Sequence, residues 1–452
     1  MTTLTVSTLL LMLLGAVTKV GYGRALAFGG ATGAGAAFVV GTTAVPTFYA
    51  VALGAAVGLG LDLLQRGRRG PEAQHRLPPA TSLLVAFFLW SVFVTLLAPL
   101  MFNGQPVLTP NGVGAELTAG IVTTSNIAQM GYLFLGVCVV IFLGRSSRAT
   151  PQLLGLAAGL TTLLSLWRYF NQTFGLPFPL DVFDNSPAFS YVETAPKGVQ
   201  RFRGILSEPA GLAVSSLVTM SYMLPRAIRV NGGRRIGAVL LAAAACYLGI
   251  ISTSATFVVG GGLVLAVVGA SLGLGFLARR VSIGAVATVV GCVLVLAALA
   301  VLPIVYGFVD DTINAKVSSS SYTERSGANG SSYEIFLDTW GFGVGLGSSR
   351  ASSFLPGLLS TTGLPGTLLF VAAVVTLVLR SAKVNEYRPV LWALVSLLLV
   401  KVVSGPDLSD STGILWIALG LLSRAAVPAT SELASIVPVG PASERLVERH
   451  AS

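Results

Sequence analysis

Lys197, Arg201, Arg203 and Glu208 stand close together in Lys197-Gly-Val-Gln-Arg-Phe-Arg-Gly-Ile-Leu-Ser-Glu-Pro-Ala-Gly-Leu212, at the mouth of an apolar segment. Only 10% of the chain is charged, and a charge beside a bilayer is costly enough to be a functional candidate by default. Guanidinium forks match phosphate oxygens, and a neighbouring carboxylate can take a proton from a hydroxyl. The plainer alternative is a set of arginines snorkelling at a membrane interface. For Glu208 the plainer role is neutralising Arg201 or Arg203.

A second motif is Trp340-Gly-Phe-Gly-Val-Gly-Leu-Gly-Ser-Ser-Arg350, in which Gly341, Gly343, Gly345 and Gly347 alternate with other residues. No Gly-Lys pair follows, so it is not a P-loop, and no strand-helix context suits a dinucleotide site. It reads as backbone that turns tightly and approaches something closely, with amides that could form a concave anion site. Arg168, between Trp167 and Tyr169, and Arg325, in a polar stretch, complete the basic candidates. Carboxylate candidates for a base are Glu208, Asp310, Asp311, Glu324, Glu334 and Asp338.

The elements that must position these groups are apolar. Hydrophobic residues make up 54% of the 452, and runs near the ~20-residue bilayer length recur throughout. The expected fold is an all-α polytopic membrane protein with about 12–13 spans: 3–18, 25–43, 46–64, 80–101, 119–144, 151–170, 205–225, 236–252, 255–278, 283–308, 354–379, 389–405 and 411–423. Residues 1–424 form one transmembrane domain with long loops at about 171–204 and 309–353, and 425–452 a loosely ordered tail. Ser318–Ser321 and Ser326–Ser332 read as flexible, and 333–340 as a short amphipathic helix.

Alternation of these spans places 20 of the 28 basic residues but only 6 of the 18 acidic ones on one side, a net of +14 against −4. The positive-inside rule makes that side cytoplasmic and both long loops extracytoplasmic. The overall charge of +10 therefore needs no nucleic acid; anionic lipid headgroups suffice. The first span lacks a basic leader and reads as a retained helix. Cys138, Cys246 and Cys292 fall far apart in apolar spans and form neither a metal spacing nor a disulfide framework. No cofactor or metal site is expected.

Three features occur in order: Arg201-Phe-Arg-Gly-Ile-Leu-Ser-Glu-Pro209, Arg325 in the late loop, and Gly341-Phe-Gly-Val-Gly-Leu-Gly347 before Leu355-Pro-Gly-Leu-Leu-Ser-Thr-Thr-Gly-Leu-Pro-Gly366. Over roughly residues 165–380 the chain resembles the O-antigen polymerase and O-antigen ligase superfamily, polytopic glycosyltransferases of the GT-C type. Where relatives carry a polar motif with an arginine, this chain reads Ser252-Thr-Ser-Ala-Thr256.

The resemblance implies a bacterial plasma-membrane enzyme moving a glycan from undecaprenyl diphosphate to an acceptor sugar outside the membrane, alongside other polysaccharide-assembly proteins. Arg168, Arg201, Arg203, Arg325 and Arg350 are then candidates to hold the diphosphate. Arg203 and Arg325 rank first and are expected to converge, and Glu208 is a candidate base. Ligases of the superfamily carry a histidine near the glycine-rich element. Here the histidines are His75 and His450, both on the expected cytoplasmic side, which favours a polymerase over a ligase. A flippase or transporter, a peptidoglycan polymerase and a non-enzymatic scaffold are the competing readings.

Overall fold

The computed structural model describes residues 3–17, 21–40, 43–67, 78–109, 112–187, 189, 191, 193, 201–279 and 320–426. The expected span 283–308, both histidines, Cys292, Asp310, Asp311, Lys197 and the tail beyond Ala426 lie outside them. The described residues are mostly α-helical: α1 Thr3–Val17, α2 Gly23–Ala31, α3 Thr47–Gly67, α4 Pro79–Met101, α5 Thr124–Arg145, α6 Gln152–Phe174, α7 Leu180–Phe183, α8 Pro209–Ala227, α9 Gly233–Ile251, α10 Ala255–Arg279, α11 Ser320–Asp338, α12 Phe354–Ser381, α13 Arg388–Val403 and α14 Ile414–Ala425. Among the described residues six helices are long and apolar enough to cross a membrane: α3, α4, α5, α6, α9 and α12. The chain is a multi-pass membrane protein.

The helix α14 organises the bundle. Its residues Ile414 to Ser423 are all buried, as expected of a helix apolar on every face. Trp416 is wholly enclosed, and its Nε1 donates to the Leu408 carbonyl at 3.2 Å. α14 packs on α5 and α13, α13 packs on α8, and α4 packs on α12.

Two expectations are corrected. The proposed span 25–43 is not one helix. α2 ends at Ala31, and Ala36–Val40 (β1) pairs antiparallel with Thr43–Pro46 (β2). Gly33 and Gly35 weaken the helix after Ala31, and the β-branched run that follows suits strands. Protein encloses this non-helical backbone: Ala34, Ala36 and Ala37 are buried. The second correction is α11: Ser320–Ser321 and Ser326–Ser332, read as flexible, join the first part of the short helix expected at 333–340 in one 19-residue helix. Its core face (Ala328, Ser332, Ile335 and Thr339 just beyond it) is buried, and Ser332 Oγ satisfies itself on the Ala328 carbonyl at 2.8 Å. Tertiary burial overrides weak helix propensity here.

Candidate functional site

Two arginine clusters sit at the same end of the bundle, where α6, α9 and α13 end and α8, α10, α12 and α14 begin. The first is closed. Arg168, near the end of α6, and Arg203, in the loop before α8, are 2% and 3% exposed. Arg168 contacts Asp184 at 3.2 Å and also pairs with Glu193. Arg203 pairs with Asp184, and its Nε lies 3.0 Å from Glu193. Arg203 also donates to the Leu206 carbonyl at 2.7 Å and lies 4.9 Å over the Tyr191 ring, a cation–π contact. Two cations face two carboxylates, and the cluster is electroneutral.

The irregular segment 32–46 anchors this cluster. Ala36 N donates to Asn185 Oδ1 at 2.7 Å, and Asn185 Nδ2 returns a bond to the Ala36 carbonyl at 2.9 Å. Tyr191 donates its hydroxyl to the Ala34 carbonyl at 3.0 Å and accepts from Ser186 N at 2.8 Å. Asp184 is thus held by backbone groups that a continuous helix would have consumed. Gly204, at φ +60°, brings the Arg203 loop against α6; a Cβ there would lie 2.4 Å from Ser165 Oγ.

The second cluster is open. Arg201 N donates to the Glu193 carbonyl at 2.6 Å, but its side chain turns away from the closed cluster. One Nη donates to the Thr253 carbonyl at 3.2 Å, while Nε is buried without a hydrogen-bond partner among the described residues. Thr253, between α9 and α10, has φ +47°, uncommon for a residue with a Cβ. Burial holds the Arg201 guanidinium below the usual arginine range; the positive charge of Arg325 lowers it further, and the Glu208 carboxylate raises it.

Glu208 is the residue before α8. Pro209 occupies the first helical position, where its missing N–H costs nothing, and the preceding residue is pushed into extended backbone; Glu208 has φ −148° and ψ 158° and does not cap the helix. Its side chain is exposed and forms no ion pair among the described residues.

Arg325 and Arg350 are brought together through Asn329, one turn after Arg325 on α11. Asn329 Oδ1 accepts from Ser352 N at 2.9 Å and Ser353 N at 3.0 Å, and its Nδ2 donates to Ser353 Oγ at 3.0 Å. Arg350 N donates to the Leu108 carbonyl at 2.7 Å, tying it to the hairpin of β3 (Pro106–Leu108) and β4 (Gly114–Glu116).

The turn 404–413 between α13 and α14 forms the floor. Buried Lys401 donates to the Asp407 carbonyl oxygen at 2.9 Å and lies 3.8 Å from Asp410. Burial raises the Asp407 carboxyl above the usual aspartate range. Lys401 opposes this, Asp410 adds to it, Arg350 opposes it and Glu208 adds to it. Asp407 is nevertheless exposed. The turn that carries it is tied to the segment after Arg350, since Gly405 N donates to the Ser352 carbonyl at 3.3 Å.

The glycine-rich turn sets the spacing of these parts. Gly341, Gly343, Gly345 and Gly347 all have φ between +76° and +88°. A Cβ on Gly345 would lie 2.6 Å from Thr95 Cα, and one on Gly347 2.6 Å from the Ser125 carbonyl oxygen. The turn does not offer an anion nest. Gly343 N donates to Thr339 Oγ1 at 3.0 Å, Val344 N to the Ser360 carbonyl at 2.8 Å, Gly345 N to the Thr361 carbonyl at 3.0 Å and Leu346 N to Thr95 Oγ1 at 3.0 Å. The acceptors at 360–361 precede Gly363, where α12 is broken.

The structure therefore divides the five arginines. Arg201 and Arg325 form the open cluster with Glu208, and Arg350 acts on Asp407 at the same end of the bundle. Arg168 and Arg203 are enclosed by Asp184 and Glu193, so Arg168 does not snorkel, and the expected partnership of Arg203 with Arg325 is taken instead by Arg201. Glu334 and Asp338 line a separate groove of about 460 Å³ between α11 and the β3–β4 hairpin. Glu324 is exposed on α11. Among the described residues no group of acidic, histidine or cysteine side chains could hold a metal. Sequence reasoning missed Asp184, Glu193, Tyr191, Lys401, Asp407 and Asp410. The available signal was charge balance at one end of the bundle: six of the twelve acidic residues assigned to that side are not base candidates, and buried cations require counter-charges. Compared with known proteins, the chain matches no family model and no curated protein significantly.

Proposed function

We propose that this protein is a glycosyltransferase of the plasma membrane that polymerises undecaprenyl-diphosphate-linked oligosaccharide units into a cell-surface polysaccharide at the extracytoplasmic face. The observation that carries this reading is the open cluster. Arg201 and Arg325, from two separate segments, act on each other as like charges with Glu208 nearby, and Arg350 and Glu208 both act on Asp407, which gathers cations at one end of the bundle. A diphosphate leaving group gains negative charge as its bond to the sugar breaks, and preorganised guanidinium groups in a partly dry site stabilise that charge strongly. The resemblance of the Arg-Gly and glycine-rich motifs to the polymerase and ligase superfamily supports the same reading.

Deletion in the native host followed by glycan sizing tests it. A polymerase leaves single repeat units made and long chains missing. Full-length chains accumulating unattached on the lipid carrier indicate a ligase instead. One observation favours a second reading, a transporter or flippase of lipid-linked sugars: Lys401 and Asp410 flank an interruption between two short helices, and broken helices with charged residues line transport sites. Reconstituted protein that moves lipid-linked sugar between leaflets without lengthening it would favour that alternative.

A further inference from the structure

The turn 404–413 is held at nearly every residue. Gly405 N donates to the Ser352 carbonyl at 3.3 Å, and Lys401 Nζ to the Asp407 carbonyl at 2.9 Å. Trp416 Nε1 binds the Leu408 carbonyl at 3.2 Å, and the Tyr49 hydroxyl binds the Asp410 carbonyl at 3.2 Å. Asp410 Oδ1 accepts from Thr412 N at 2.9 Å. Against this rigid frame the Asp407 side chain stands alone. It is exposed, and among the described residues it has no hydrogen bond or ion pair. Lys401 is engaged by the Asp407 main chain and by Asp410 rather than by the Asp407 carboxylate. The frame fixes the main chain that carries one open carboxylate, and a carboxylate placed by its backbone and open to substrate can serve as a proton acceptor.

We propose that Asp407 is the base that takes the proton from the acceptor sugar's hydroxyl, working opposite the arginines of the open cluster. The inference rests on the glycosyl-transfer reading above. In the step, the hydroxyl O–H bond breaks and its proton passes to an Asp407 carboxylate oxygen. The hydroxyl oxygen forms a bond to the donor's anomeric carbon. The bond from that carbon to the diphosphate oxygen breaks, and its electron pair leaves with the diphosphate, whose charge faces Arg201, Arg325 and Arg350. Exposed Asp407 then returns the proton to water. Glu208, the residue before α8, acts on Arg201 as a counter-charge and belongs to the leaving-group side.

Burial and the negative charges of Asp410 and Glu208 raise the Asp407 carboxyl, while Lys401 and Arg350 oppose them; a raised carboxylate is a stronger base and an acid limb in rate must follow its titration. The test uses full-length protein in proteoliposomes with undecaprenyl-diphosphate-linked repeat units, reading chain elongation against pH. Asp407→Asn is expected to lower kcat about 10²–10⁴-fold, the usual range for general-base removal, with KM for the lipid substrate little changed and the acid limb lost. Asp407→Glu, which keeps the carboxylate, is expected to retain part of the rate with a displaced acid limb, and it serves where the Asn variant does not fold. Wild-type elongation together with an unchanged rate in Asp407→Asn, or an unchanged acid limb in Asp407→Glu, overturns the inference alone. Absence of both elongation and attachment by the wild-type protein overturns the functional reading and this inference with it.

Discussion

Arg201 and Arg203 are two residues apart and differ in almost every respect that matters. Arg203 is enclosed with Arg168 by Asp184 and Glu193. Arg201 instead has the like charge of Arg325 nearby and keeps a buried donor with no hydrogen-bond partner among the described residues. Regular extended backbone would send side chains two residues apart to the same face, so the divergence of Arg201 and Arg203 marks an irregular segment rather than a strand. The difference teaches that a cation's role follows from its counter-charges. A neutralised pair in a dry site has no capacity left for a ligand, whereas an excess of positive charge does.

The largest expected effect sharpens this contrast in activity. Arg201→Ala or Arg325→Ala should reduce chain elongation about 10²–10³-fold, the scale of losing one preorganised electrostatic donor, with the melting temperature unchanged. Arg201→Lys should also be impaired, because an ammonium does not reproduce a planar fork. Equal loss of melting temperature in Arg201→Ala and Arg203→Ala would erase the distinction between the clusters.

Next in size is the closed cluster's stability. Asp184→Asn leaves buried Arg168 and Arg203 with Glu193 alone. Removing one partner of a buried pair costs about 3–5 kcal/mol, so detergent-solubilised protein should unfold at markedly lower temperature. A variant as stable as the wild type would show that solvent or lipid headgroups reach these arginines.

A smaller effect concerns pH. The folded state holds the Asp407 proton more tightly than the unfolded chain does, because its carboxyl is raised. Stability from this group is full below the ordinary aspartate range and falls as pH rises through the raised value. Asp407→Asn should flatten that part of the stability profile, measured by thermal unfolding across weakly acidic to neutral pH. An identical slope in both proteins would place Asp407 in bulk solvent.

The helices of the bundle were largely legible, because apolar runs of bilayer length admit few other structures. The break at residues 32–46 was not. Its sequence is as apolar as its neighbours, and its strands form because protein rather than lipid surrounds them. At the site, Glu208, Arg201 and Arg325 were legible as scarce charge beside apolar spans. The ranking of Arg203 above Arg201 was not, since Asp184 and Glu193 reach it through a loop whose course depends on Asn185 and Tyr191. Asp407 was hidden in a short connection between two apolar runs that gave no motif.

The most direct measurement of the central claim is binding of undecaprenyl diphosphate, with undecaprenol as the uncharged control, to purified full-length protein in nanodiscs. The expected result is diphosphate-dependent binding that weakens at least about tenfold, roughly 1.4 kcal/mol, in Arg201→Ala. Undecaprenol should bind both proteins alike. Equal affinity of wild type and Arg201→Ala for the diphosphate would contradict the assignment of the open cluster as the site that reads the lipid-linked substrate.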